Sequence, residues 1–161
     1  RSRKDRVPYM AWIKQGYIEA TEGNVIDYKA IKQKILQLGT MYEICEIGFD
    51  RWGMTQLSQE LEEEGFTMVP IGQGFASLSA PTKELLGLVL SKRIEHGANP
   101  VLRWMADNLT IKEDPAGNIK PDKAKSREKI DGMVALIMAL DRALRHKKGG
   151  SVYDERGLRS I

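Results

Sequence analysis

The stretch "YEICEIGFDRWGMTQLSQELEEEGFTMVPIG", residues 42–72, contains the pattern that decides the fold class. Its first apolar run is rich in Ile and Phe, which is typical of a strand, here expected to be central. An amphipathic segment follows and ends at Gly65, as helices commonly do. A second apolar run comes next, and Pro70 in it favours a position near a sheet edge or at a bulge. With a helix before this stretch, the elements alternate helix, strand, helix, strand, which predicts an α/β domain with neighbouring parallel strands.

The flanking segments extend this predicted element order. Before residue 42, a short strand is predicted over 17–21, and a helix with Asp27 as its N-cap has apolar residues at Ile31, Ile35 and Leu38. After residue 72, the patterns predict a long helix with Pro81 in its first turn, a shorter helix over 99–108, a β-hairpin with its turn at 114–118, and a closing helix over 126–146.

Composition limits the kinds of site and partner. The chain has 161 residues, 42% hydrophobic and 29% charged, with a net charge of +3 and a pI of about 9.0, which is typical of one globular domain. Such mild basicity is compatible with a nucleic-acid partner without requiring one. One Cys and two His exclude a zinc site of the Cys/His type, so a metal would be held by carboxylates, which favours magnesium or manganese. No apolar run has the length of a membrane span or a signal peptide, so we expect a cytosolic protein without a membrane partner.

Two aspartates stand where an apolar element begins or ends. Asp50 follows the predicted strand, and ligand sites in α/β sheets gather at the carboxyl ends of strands; the alternative is a helix N-cap or a turn residue paired with Arg. Asp131 lies at the border of the apolar arc of the closing helix, where the alternative is a boundary residue paired with Lys or Arg. Gly132 in that helix indicates a close approach of another element, since glycine there costs about 1 kcal/mol relative to alanine.

Two basic clusters are candidates for contacting phosphates. They comprise Lys120, Lys123, Lys125 and Arg127 in one segment and Lys92, Arg93 and His96 in another. The alternative for both is a solvated surface, which is the more common role of charge runs. Together with the basic clusters, the two aspartates are compatible with two-metal cleavage of a phosphodiester, although the local pattern alone does not establish it. The sequence "GQG" at 72–74 lacks the frame of a phosphate loop.

Several longer blocks resemble the C-terminal nuclease domain of the large terminase subunits of tailed phages. They are "GNVIDYKAI" at 23–31, "EIGFDRWG" at 46–53, "QGFASLSAPTKELLGLV" at 73–89, "IEHGANPVLRWMADN" at 94–108 and "EDPAGNIKPDKAKSREKIDGMVALIMAL" at 113–140. The similarity runs in order from about residue 6 to residue 144, and the last two blocks are long and unusual.

The resemblance implies a ribonuclease H-like fold, in which helices flank a mixed sheet, here with an added β-hairpin. It implies an endonuclease that cuts concatemeric phage DNA and holds two divalent metal ions, magnesium or manganese. Asp50 matches the acid of the family's second strand, and Asp131 matches the acid of its C-terminal helix. The implied partners are double-stranded DNA and, in the full-length protein, the portal and the small terminase subunit. The implied location is the host cytoplasm during phage assembly.

One departure from the family pattern affects the expected activity. The family's nuclease domain opens with a strand that carries its first catalytic aspartate, and no counterpart is found in this sequence. We therefore expect an N-terminally truncated nuclease domain over 1–147, a flexible tail over 148–161, an unpaired sheet edge and weakened metal binding. The alternative is an inactive fragment that acts as a DNA-binding or motor-docking module.

Overall fold

The computed structural model describes residues 7–23, 25–52 and 54–147, so the predicted tail over 148–161 lies outside the described residues. The elements in chain order are α1 (Tyr9–Lys14), α2 (Tyr28–Met41), β1 (Ile47–Phe49), α3 (Thr55–Glu63), β2 (Met68–Pro70), α4 (Phe75–Leu90), α5 (Pro100–Asn108), β3 (Ile111–Glu113), β4 (Ile119–Pro121) and α6 (Asp131–Lys147). In this part of the chain no helix is long and apolar enough to cross a membrane.

The β1–α3–β2 unit confirms the predicted α/β crossover. β1 and β2 are parallel, with Ile47 opposite Met68 and Phe49 opposite Pro70. Gly65 follows α3 with a φ of +93°, a left-handed conformation that favours glycine and turns the chain toward β2.

Asp27 caps α2 as predicted, because its Oδ1 accepts a hydrogen bond from the backbone N–H of Ala30 at 3.0 Å.

The sheets are smaller than expected. Within the described ranges the structure contains two separate two-stranded sheets, the parallel pair and the antiparallel β3–β4 hairpin, rather than one mixed sheet. Here β1 pairs only with β2, so the expectation of a central strand is wrong. The hairpin packs on α4 instead of extending the β1–β2 sheet, since the backbone N–H of Ile119 donates to the hydroxyl of Ser79 on α4 at 3.2 Å.

The core lies between α4 and α6. The predicted apolar face of the closing helix is confirmed, and Ile137 on it is fully buried. The buried cluster consists of Ile71, Leu78, Leu85, Ile130, Met133, Val134, Ile137 and Met138. Burial of such side chains is the main favourable contribution to folding, at about 1.5–3 kcal/mol for each large aliphatic residue.

Two helix starts differ from their predictions because tertiary contacts decide them. α4 begins at Phe75, so Pro81 lies inside the helix and fully buried rather than in its first turn. The extra turns place Leu78 in the core. α6 begins at Asp131 rather than at residue 126, because Ser126 is used in a loop: its hydroxyl donates to the carbonyl of Asp122 at 2.7 Å and accepts from the backbone N–H of Thr110 at 3.1 Å.

The predicted strand over 17–21 is wrong. These residues form bends and irregular backbone, and four of the five are exposed. A strand requires a partner for its backbone N–H and C=O groups, and among the described residues the structure pairs no strand with this segment.

Gly132 has the close neighbour that its position in the sequence indicates. A Cβ at Gly132 would come within 2.7 Å of Met105 Sδ on α5, and the Gly132 N–H donates to that sulfur at 3.1 Å. Glycine therefore allows α5 to pack against the first turn of α6. This contact places Asp131, the first residue of α6.

Candidate functional site

An open cleft of about 740 Å³ runs between β1 and α6. Both predicted aspartates line it, together with Lys123 and Gln73. Much of its wall is apolar and comes from β1 and from small residues of α6, namely Ala135, Ala139 and Ala143. The structure therefore brings Asp50 and Asp131 to one surface from positions 81 residues apart in the chain (131 − 50).

An ion-paired contact between Glu46 and the C-terminal part of α6 fixes the relative direction of β1 and α6 along the cleft. Glu46, just before β1, pairs with Arg142 Nε at 2.6 Å and with His146 Nε2 at 3.2 Å near the end of α6. From Glu46 the strand advances about 13 Å to Asp50, at about 3.3 Å per residue. From Arg142 the helix runs back about 16 Å to Asp131, at about 1.5 Å per residue. Asp50 and Asp131 therefore lie toward the same end of the cleft.

Asp50 is half-buried and folds the loop that follows β1. Its Oδ1 accepts a hydrogen bond from the backbone N–H of Trp52 at 3.2 Å. The alternative of a helix N-cap is wrong, because Met54 occupies that position of α3. One carboxylate can form this turn and still have oxygen lone pairs that face the cleft. Trp52 itself is 82% exposed beside Asp50, and sequence reasoning did not single it out.

Asp131 is exposed at the start of α6 and paired with a lysine. Lys123 Nζ lies 2.9 Å from its Oδ1, and the side chains are 61% and 64% exposed. The hydrogen bond from Lys123 lowers the pKa of Asp131, burial opposes this effect, and the charges of Lys123 and Lys129 add to it. Asp131 is therefore a carboxylate at neutral pH. An exposed pair of this kind contributes only about 0–1 kcal/mol, so an incoming cation can displace Lys123.

The first basic cluster divides into two groups. Lys123 and Arg127 line a polar hollow of about 270 Å³ that includes Asp131, and Lys125 is exposed on the same loop. Lys120 is used internally: its Nζ donates to the carbonyl of Gln73 at 2.7 Å and lies 5.5 Å from the centre of the Phe75 ring. The hollow beside Asp131 thus presents cations to an anion that approaches the aspartates.

The second basic cluster lies elsewhere. Lys92, Arg93 and His96 follow the C-terminal end of α4, while Gln73, which lines the same cleft as the aspartates, precedes the first residue of α4. With 16 residues, α4 spans about 24 Å. Lys92 and His96 line a separate hollow of about 350 Å³ between α4, α5 and α6. The structure therefore does not bring this cluster to the two aspartates.

The contact of Glu46 with Arg142 is a further feature that the sequence analysis missed. The hydrogen bond from Arg142 is the largest cause of a lowered pKa for Glu46; burial opposes it, and the charges of Arg142 and His146 reinforce it. Glu46 and Arg142 are 96 residues apart. No local sequence pattern indicates such a pair, although each residue interrupts an apolar segment.

The oxygen donors of Asp50 and Asp131 suit a hard divalent cation. Among residues 7–23, 25–52 and 54–147, no three His, Cys, Asp or Glu side chains group together as a metal site. Mg²⁺ is commonly held by one or two carboxylates, with water and substrate phosphates completing its coordination. Asp50 and Asp131 are therefore the candidate ligands that the cleft offers to such an ion.

Comparisons with known proteins identify a family for this chain. Residues 1–147 match the family model described as the terminase large subunit, endonuclease domain. The chain is 34% identical over 145 residues to the large terminase subunit of Enterobacteria phage HK97, covering 89% of this chain and 29% of that protein. It is 32% identical over 164 residues to protein YmfN of Escherichia coli K12, covering 99% of this chain and 36% of that protein.

A solved structure supports the same assignment. The crystal structure of the HK97 bacteriophage large terminase superposes with a TM-score of 0.81 at 34% identity, over 88% of this chain and 30% of that one. The chain thus spans about a third of the length of these relatives. From the match over residues 1–147 and from these similarities, the chain belongs to the family of terminase large subunit endonuclease domains.

Proposed function

We propose that this chain is a metal-dependent endodeoxyribonuclease domain that cuts concatemeric double-stranded DNA during phage packaging. The observation that carries the proposal is the convergence of Asp50 and Asp131 at one end of a cleft that also presents Lys123. A ribonuclease H-like arrangement stays a prediction, supported by the parallel β1–α3–β2 crossover and by the similarity to the HK97 structure.

The side chains around the cleft would have different roles in phosphodiester cleavage. Asp50 and Asp131 would hold the divalent ion, which supplies Lewis-acid activation of water and stabilises charge on the phosphate. Lys123 neutralises Asp131 while no ion is present. Together with Arg127, it then provides contacts for a DNA phosphate in the adjoining hollow. A pair of magnesium or manganese ions, as the resemblance implies, would need additional oxygens from water, DNA or other residues.

The remaining partners and the location are proposed from family membership. As part of a large terminase subunit, the domain would act C-terminal to a packaging motor that contacts the portal and the small terminase subunit, in the host cytoplasm. Lys92, Arg93 and His96 would form a second contact with the same DNA, outside the cleft that Asp50 and Asp131 line.

Replacement of the aspartates tests the proposal. We expect Asp50→Asn and Asp131→Asn each to abolish DNA cleavage in Mn²⁺, because an amide supplies a weaker, uncharged ligand. Asp107→Asn, an exposed change on α5, is the matched control and should cut at the parental rate. Folding is checked by circular dichroism. Parental cleavage by a folded Asp131→Asn protein would overturn the proposal.

A second candidate function is a DNA-binding module without nuclease activity. It is favoured by the lack of a three-ligand acidic group in the part of the chain that the structure describes. Such a module would show DNA affinity with steep salt dependence and no response to divalent metal or to chelator. The nuclease proposal instead predicts that DNA is cut only when Mn²⁺ or Mg²⁺ is present.

A further inference from the structure

The loop between β2 and α4 carries an amide to the acidic cleft. Gln73 lies two residues before the first residue of α4, and it lines the same cleft as Asp50 and Asp131. Amide oxygens are established ligands of hard divalent cations, although they carry no charge. Gln73 therefore adds a third hard oxygen to a cleft in which two carboxylates alone leave the coordination of an ion incomplete.

Lys120 fixes the backbone of this loop. Its Nζ donates to the main-chain carbonyl of Gln73 at 2.7 Å across 47 residues of sequence, and the ammonium lies 5.5 Å from the Phe75 ring centre. Lys120 is half-buried on β4, and β4 packs against α4. A charged donor to a carbonyl is stronger than a neutral one, and the ring face favours the same position of the cation.

The neighbours of the Gln73 side chain decide which way its amide faces. Its Nε2 lies 3.4 Å from the carbonyl oxygen of Ile71 and 3.5 Å from Met138 Sδ. A carbonyl oxygen accepts hydrogen bonds and repels another oxygen, so the NH₂ end must face Ile71. The Oε1 atom is then the end of the amide left over to serve as an acceptor or a ligand in the cleft.

We propose that Gln73 Oε1 is a third oxygen ligand of the divalent cation held by Asp50 and Asp131, and that Lys120 is the residue that positions it. This inference rests on the proposed metal site. It adds to the two aspartates a ligand that the family comparison does not name. It also gives Lys120 a role other than contact with DNA.

Manganese binding by the full chain without DNA tests the inference, because it is measured independently of cleavage. The dissociation constant is obtained from water-proton relaxation. We expect Gln73→Ala to weaken Mn²⁺ binding by about tenfold. This is the low end of the loss in metal affinity that follows removal of a group that supports a metal ligand. Gln73→Glu should tighten binding, because the added charge sits on the same oxygen. Gln59→Ala, an exposed change on α3, is the control and should bind like the parent.

Substitutions of Lys120 distinguish a positioning role from a purely electrostatic effect on metal binding. Removing a cation near a metal site should tighten metal binding if only charge matters. If Lys120 holds Gln73 in place, Lys120→Met should instead weaken Mn²⁺ binding, and Lys120→Arg should restore it by donating to the same carbonyl. Tighter binding by Lys120→Met would overturn the positioning role.

The outcomes distinguish this inference from the proposed function. If Asp131→Asn weakens Mn²⁺ binding while Gln73→Ala and Gln73→Glu both bind like the parent, the ligand role of Gln73 is wrong and the acidic site stands. If Asp131→Asn does not weaken Mn²⁺ binding, the proposed metal site is wrong and the ligand role fails with it.

Discussion

At the scale of single residues, two carboxylates in the cleft, Asp131 and Glu46, are each paired with a cation but differ in their exposure. Lys123 meets Asp131 at an exposed position, whereas Arg142 meets Glu46 where the Glu46 side chain is only 16% exposed. An exposed pair is weak and exchangeable. A shielded pair is screened less by water and holds two elements together. The first arrangement suits an ion-binding residue and the second a structural one.

Glu46 gives a pH-dependent prediction. Its pKa is lowered in the folded state, so its contribution to stability is present above its unfolded pKa of about 4.3 and is lost as the pH falls through the folded pKa. Glu46→Gln should therefore lower the melting temperature at pH 7 and have little effect near pH 3. Thermal unfolding at the two pH values measures this difference. Glu62→Gln, exposed on α3, should change neither value, and an equal loss for Glu46→Gln at both pH values would contradict the account.

At the scale of elements, features that depend on neighbouring residues were predicted well, whereas features that depend on tertiary contacts were not. The cap by Asp27, the glycine after α3 and the hairpin turn depend on neighbouring residues, so the sequence alone indicates them. The start of α6 depends on Ser126, which bonds to Thr110 far along the chain. The separation of the two sheets likewise depends on where the hairpin packs.

Two helix glycines should respond to alanine with opposite signs. Gly87 on α4 is exposed, and a Cβ added there would have no neighbour within 4 Å, so Gly87→Ala should stabilise the protein by about 1 kcal/mol through helix propensity. Gly132→Ala should destabilise by about 1–3 kcal/mol, because its Cβ would meet Met105 Sδ at 2.7 Å. Denaturant unfolding measures both changes. Stabilisation by Gly132→Ala would show that the α5–α6 contact is not tight.

At the scale of the whole molecule, the sequence indicated the two aspartates as candidates but not the long-range contacts that bring them to one cleft. Each stands at the end or start of an apolar segment, which is a local signal. Their convergence depends on the long-range pair of Glu46 with Arg142, and the anchoring of Gln73 depends on Lys120. Neither contact has a sequence pattern. The basic clusters could be recognised from the sequence, while only the structure shows that they line different hollows.

That separation predicts different effects on DNA binding. Replacing Lys123 and Arg127 by Gln should lower DNA affinity and reduce the salt slope by about two, because each cation contacts one phosphate beside the aspartates. The Lys92→Gln, Arg93→Gln variant has the same charge change and should lower the affinity less, because Lys92 lines a separate hollow that contains neither aspartate. Fluorescence anisotropy over a salt series measures both. An unchanged slope for the first variant would contradict phosphate contacts at the cleft.

The most direct test of the central claim, that Asp50 and Asp131 form a metal-dependent cutting site, is cleavage of supercoiled plasmid in Mn²⁺. The account predicts nicked and linear DNA with the parent and with Asp107→Asn. It predicts no cleavage with Asp50→Asn, with Asp131→Asn or after addition of a chelator. Cleavage at the parental rate by folded Asp131→Asn, or cleavage that persists in chelator, would contradict it.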